Sequence, residues 1–265
     1  MNLKEKFNND GFVILKNVVS TDLIEQAKDL TEDIIDYFDH TDTDPFDQFF
    51  MNHRVDQGTL YDLYFRHPEF QQLATHKGVI GALREIVGED FFLYENSLVY
   101  KPKGKKNAVP WHQDFMNRTD EPSKFIIWVA LDDVTIANGA LKFIPGSHKN
   151  GFLPYFQVKG ETHHTRLKLD GVDLDNYIHG EMEAGDVLIF HHLVIHSSDL
   201  VDVDEPRRAY RFSVQGFKQL FSPRCVPVVL SGGRPKAYKN ASPRIINKSL
   251  LKKFINKVGN RLSNI

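Results

Sequence analysis

The sequence predicts a mainly β domain, with helices packed on one face of an antiparallel sheet or barrel. Apart from a short C-terminal stretch, helical periodicity is confined to residues 1–90. From Phe92 onward come short runs rich in β-branched and aromatic residues, punctuated by Gly, Pro and Asn. A chain that spends its helices first and its strands afterwards has to layer one on the other to bury both apolar faces.

The elements read as follows. Ser20-Thr21-Asp22 supplies N-cap candidates, and Leu23, Ala27, Leu30, Ile34 and Phe38 then recur at helical spacing. The Asp/His-rich run Asp39–Asp47 reads as a solvated loop. A second helical region opens near Pro68, carries the stripe Val79, Ile80, Leu83, Ile86 and Val87, and meets Gly88 where a C-terminal cap belongs. The expected strands are Phe92–Tyr94, Ser97–Tyr100, Trp111–Phe115, Phe125–Leu131, Ala140–Ile144, Asp186–His191 and Arg208–Phe217. Residues 149–182 are polar with little periodicity and read as a lid over the mouth of the barrel. Leu250, Leu251, Phe254, Ile255 and Val258 form the apolar face of a short helix after Asn247-Lys248-Ser249. The chain divides into a helical N-terminal region (residues 1–90), a barrel core (residues 91–217) and a basic C-terminal segment (residues 218–265), all within one domain.

An apolar content of 41% supports a packed core and excludes a disordered chain. No run reaches the length of a membrane span, and the only cysteine, Cys225, excludes an internal disulfide framework. A cytoplasmic protein is expected. Charge is uneven: 19 basic against 35 acidic residues up to Glu205, then 14 basic against none. Such asymmetry invites a nucleic-acid partner, but packing of the basic segment on the acidic body accounts for it more simply. Lysines near the barrel mouth would favour a substrate with carboxylate or phosphate.

His112 and Asp114 stand two apart in Val109-Pro110-Trp111-His112-Gln113-Asp114-Phe115. On a strand both side chains leave one face. With a third ligand from His191, His192 or His196, they form the two-His, one-carboxylate set of non-haem Fe(II) oxygenases. Arg207, Arg208 and Arg211 follow, and a guanidinium grips a carboxylate bidentately. Arg207 and Arg211 share strand parity, while Arg208 faces the other way.

The chain resembles the phytanoyl-CoA dioxygenase family of Fe(II)/2-oxoglutarate oxygenases over residues 5–217. The resemblance lies in Phe7–Leu15, Trp111-His112-Gln113-Asp114, Asn138-Gly139-Ala140-Leu141, Ile144-Pro145-Gly146-Ser147-His148, Gly185-Asp186-Val187 and His196…Arg207. It implies a double-stranded β-helix, or cupin-like jelly roll. It implies His196 as the third ligand and Arg207 as the anchor of 2-oxoglutarate, with Trp128, Ser198 and Lys101 lining the cosubstrate site. The implied activity is that of a dioxygenase using Fe(II), 2-oxoglutarate and O2 to hydroxylate a small molecule, with release of succinate and CO2. Related halogenases have Gly or Ala where Asp114 stands, so the carboxylate points to hydroxylation or another oxidative outcome, such as desaturation, epoxidation or ring closure. A cupin-like protein holding another metal without turnover, and an oxygenase acting on nucleic acid or protein, are the alternatives.

Overall fold

A computed structural model describes residues 2–40, 53–54, 58–101, 108–158, 166–201, 203, 205–217 and 228–232. The chain starts with helix α1 (Leu3–Asp10), opened by a capping box in which Asn2 and Glu5 each accept the other's backbone N–H. Gly11, at φ 83°, closes it, and a Cβ there would collide with Val194 and His148. The chain turns directly into strand β1 (Phe12–Leu15), an element the helical periodicity of this region conceals.

Helix α2 (Thr21–His40) follows, with Ile24, Ala27, Thr31 and Ile34 buried. The buried Thr31 hydroxyl is satisfied by the Ala27 carbonyl one turn back. Short strands β2 (His53–Arg54) and β3 (Thr59–Tyr61) come next, so residues 1–90 are not wholly helical. Pro68 opens α3 (Pro68–Ala74), and α4 (Lys77–Val87) ends at Gly88. The remaining strands are β4 (Phe91–Tyr100), β5 (Val109–His112), β6 (Lys124–Ala130), β7 (Leu141–Phe143), β8 (Tyr155–Phe156), β9 (Arg166–Leu167), β10 (Ile178–Gly180), β11 (Val187–His191), β12 (His196–Ser198), β13 (Arg208–Gly216) and β14 (Val228–Ser231).

Every ladder among the described residues is antiparallel. The large sheet runs β1-β11-β6-β13-β4-β3-β2 with β14 added to β4, and the small sheet runs β10-β7-β12-β5. Alternation along each strand of the large sheet feeds two cores. Ile127, Val129, Ile189, Tyr210 and Phe212 face outward onto the helices with Ile24, Leu73, Val79 and Leu83. Ile126, Trp128, Leu188, Phe190 and Ala209 face inward and meet Leu141 and Phe143 of the small sheet. Each fully buried side chain of this kind contributes about 1.5–3 kcal/mol, so the two sheets and the helical layer stabilise one another. This is the mainly β, helix-flanked architecture that the sequence predicts.

The expected lid is partly sheet. β8 and β9 form a small hairpin and β10 is an edge strand of the small sheet, because Ile178–Gly180 pair with Leu141–Phe143. All described residues lie in a compact unit, Met1–Gly232. The Asp39–Asp47 loop, apart from its first two residues, and the helix expected around Leu250 lie outside the described residues. No helix among the described residues is long and apolar enough to cross a membrane.

Candidate metal centre and its surroundings

His112 and His196 are direct cross-strand partners on β5 and β12, and their ring centroids lie 4.1 Å apart. Each Nδ1 sits 2.9 Å from a backbone carbonyl two residues earlier, Pro110 for one and Val194 for the other. An Nδ1–H donating to that carbonyl fixes Nε2 as the lone-pair nitrogen, the state in which an imidazole ligates. Burial lowers the pKa of both rings. His112 falls to about 4, with neighbouring His196 adding to the effect of burial. Both are therefore neutral near pH 7.

Asp114 joins them by a route different from strand alternation. β5 ends at His112. The Asp114 N–H donates to the His192 carbonyl at 2.9 Å and Phe115 takes φ 56°, turning the chain inward. Its Oδ1 stands 4.0 Å from His112 Nε2, and ligand atoms of His112, Asp114 and His196 all lie within 4.8 Å of one another. Burial would raise the Asp114 pKa, but the Arg211 guanidinium and the two histidines hold it down at about 2.

The other histidines are used differently. The His192 ring is buried against the Lys124 backbone, and His191 Nδ1 accepts from Leu193 N–H. His148 lies in a one-turn helix, its ring 5.6 Å from that of His191. Among the described residues, none of these joins the three-ligand group.

The three arginines separate cleanly. Arg208 points outward and donates to both oxygens of Asp132 and to Glu32 on α2. Arg211 points inward, its Nη1 2.7 Å from Glu95 and its Nη2 3.2 Å from Asp114 Oδ2. Arg207 is buried, and its Nε and Nη1 have no hydrogen-bond partner among the described residues. Its guanidinium carbon lies 5.0 Å from the Trp128 ring centroid, and Trp128 Nε1 also lacks a partner there.

Lys101 completes this cluster. Its backbone N–H donates to the Arg207 carbonyl, and its Nζ lies 3.1 Å from Ser198 Oγ. Burial, helped by the Arg207 charge, lowers its pKa to about 7, and burial lowers that of Arg207 to about 10. A buried guanidinium with unsatisfied N–H groups and a half-buried lysine therefore stand together, and a buried cation of this kind calls for an anionic partner.

Two features had weak or no sequence signal. Gln113 clamps the loop beyond His148: its Nε2 donates to the Gly151 and Leu193 carbonyls and its Oε1 accepts from Leu153 N–H. The Glu95–Arg211–Asp114 bridge links β4, β13 and the turn after β5; its one trace in sequence is the shared parity of Arg207 and Arg211.

Comparison with known proteins adds to this geometry. Residues 7–209 match the family described as Phytanoyl-CoA dioxygenase (PhyH). A phytanoyl-CoA dioxygenase domain-containing protein 1 homolog of Caenorhabditis elegans is 25% identical over 258 residues, covering 80% of this chain and 89% of the relative. The non-haem monooxygenase ThoJ in its apo form superposes with a TM-score of 0.70 at 20% identity, covering 99% of this chain and 96% of that one. The epimerase SnoN, solved with Fe3+, alpha ketoglutarate and nogalamycin RO, superposes at 0.60 and 18% identity, covering 88% of this chain and 95% of that one.

Proposed function

The chain belongs to the phytanoyl-CoA dioxygenase family, and from that premise we propose that it is an Fe(II)- and 2-oxoglutarate-dependent oxygenase that hydroxylates an unactivated C–H bond of a small molecule. The observation that carries this reading is the meeting of His112, His196 and Asp114 within 4.8 Å, with each imidazole locked by its own backbone carbonyl. Two neutral imidazoles and one carboxylate are the donor set suited to Fe(II). The unsatisfied nitrogens of buried Arg207 suit the distal carboxylate of 2-oxoglutarate, to which a guanidinium donates charge-assisted hydrogen bonds. Arg208 and Arg211 are already committed to carboxylates of the chain.

When bound, iron and 2-oxoglutarate supply the oxidising power: O2 and the keto acid are consumed, succinate and CO2 leave, and one oxygen atom goes to the substrate. The chain's own residues do the rest. His112 and His196 present lone pairs from a rigid cross-strand pair. Asp114 brings one negative charge, and Arg211 occupies its Oδ2, which leaves Oδ1 toward the histidines. Trp128 packs its ring against the Arg207 guanidinium, and the hydrogen-bonded pair Lys101 and Ser198 would line the cosubstrate site beside it. SnoN is an epimerase, so the fold accommodates more than one outcome; hydroxylation is the reading we adopt for this chain.

The test is Fe(II)-dependent formation of succinate from 2-oxoglutarate by the full chain, first alone and then against a library of small molecules. Chelation should abolish it, and a compound that raises the rate and is recovered with one added oxygen atom identifies the substrate class. A chain that neither binds Fe(II) nor consumes 2-oxoglutarate under any of these conditions would overturn the proposal.

A further inference from the structure

A cavity of about 610 Å³ opens beside the metal-ligand group. Asp114 and Arg211 form part of its wall, whereas Arg207, Trp128, Lys101 and Ser198 do not line it among the described residues. It is thus separate from the site assigned to 2-oxoglutarate, and its volume suits a small molecule. Its chemistry is one-sided. Among the described residues three carboxylates line it, Asp62, Glu95 and Asp114, against a single guanidinium, Arg211, which is already paired with Glu95 and Asp114. The other distinctive lining groups are aromatic: Tyr61, Phe65, Tyr94 and Phe115.

We propose that this cavity takes a small substrate carrying a positive charge, such as an amine, an amidine or a quaternary ammonium group, held against its aromatic rings by Glu95 and Asp62. The inference rests on the oxygenase reading for its chemistry but not for its binding. Ring faces attract cations through their quadrupole, and nearby carboxylates add to the attraction as water is excluded. The same rings already bind cations from the protein's own side: Lys124 Nζ lies 4.7 Å from the Tyr94 centroid and 4.9 Å from that of Phe115. Tyr61 and Asp62 lead into the 3-10 turn after β3 and Phe65, half exposed, ends it, so carboxylate and ring stand within one short segment of the cavity wall. An acyl-CoA is a poor fit, because its phosphates would face three carboxylates and a base that is already paired. The anionic substrate suggested by the basic C-terminal segment is disfavoured on the same ground.

The test compares three probes that differ only in their terminal group: 3-phenylpropylamine, 3-phenylpropan-1-ol and 3-phenylpropanoate. Binding is measured by ligand-observed NMR titration of the metal-free full chain, so the result does not depend on iron. The amine should bind roughly tenfold tighter than the alcohol, and the carboxylate weakest. Asp62→Asn, at an exposed position, and Glu95→Gln, which keeps a hydrogen-bonding group beside Arg211, should each shrink the amine-to-alcohol ratio. A ratio is insensitive to a general loss of folded protein. Tightest binding of the carboxylate, equal binding of all three, no binding of the amine, or ratios unchanged in both variants would overturn the proposal. Failure of the oxygenase reading shows separately, as absent Fe(II)-dependent succinate formation.

Discussion

Replacing Arg211 by Met tests whether the site is prearranged by charge. The guanidinium is 14% exposed and bridges Glu95 and Asp114, themselves 17% and 16% exposed. Burial works against its charge, yet the two carboxylates more than compensate and raise its pKa. Arg211→Met keeps the unbranched apolar stem and deletes the cation, leaving two largely buried carboxylates without it. Removing one partner of a buried pair costs about 3–5 kcal/mol. For a chain of this size that corresponds to a fall in melting temperature of roughly 6–20 °C.

Three further measurements separate charge from packing. Glu95→Gln combined with Arg211→Met should recover part of the loss, because one of the stranded charges is gone. A divalent metal should stabilise Arg211→Met more than it stabilises the parent, since it supplies the cation that Asp114 has lost. Arg211→Lys should fall between the two, as an ammonium cannot span both carboxylates as a planar fork does. Calorimetry of the four proteins, with and without Mn(II), provides the data. If Arg211→Met melts within a degree or two of the parent, or if the double variant is no better than the single one, the bridge is not what holds Asp114.

Among the remaining predictions, His112→Ala, Asp114→Ala and His196→Ala should each lose stoichiometric Fe(II), whereas His192→Ala should retain it, as metal analysis after anaerobic loading will show. Arg207→Ala should weaken 2-oxoglutarate binding by about 1.5–3 kcal/mol, roughly 10- to 150-fold, measured by titration into the Mn(II)-loaded protein. Glu121 supplies a pH test. Burial would raise its pKa, but the Tyr94 hydroxyl, Lys124 and Arg118 hold it at about 2 instead of 4.5. A depressed carboxyl contributes stability that is present above pH 4.5 and is lost as pH falls through about 2. Thermal melts from neutral pH down to pH 2 should show that loss, and Glu121→Gln should lessen its steepness.

The fold was legible where periodicity was strong. The stripes after Thr21 and before Gly88 are helices, and the runs beginning near Phe92, Phe125, Asp186 and Arg208 are strands. It was not legible where pairing decides structure: β1, β3 and β10 are three or four residues long and owe their strand conformation to the edges they join, which local sequence does not encode. The metal group was legible for a reason partly mistaken. Alternation would place His112 and Asp114 on one face of a strand, but the strand stops at His112, and a hydrogen bond to His192 with a left-handed Phe115 brings the carboxylate round.

What escaped the sequence depends on register. Arg211 lies opposite Ser97 on β4 and Trp128 on β6, and Glu95 is two residues along from Ser97 on the same inward face. No spacing within one segment could pair Glu95 with Arg211, because their separation along the chain is set by everything folded between them. A slip of one residue in the β4–β13 ladder would turn Arg211 onto the helices and Arg208 inward. Arg208 would then lose Asp132 and Glu32, and Arg211 would carry an unpaired charge into the apolar layer of Leu73, Val79 and Leu83. The two arginines therefore penalise the wrong register from opposite faces of one strand. The charges that arrange the site also help to fix the pairing on which it depends.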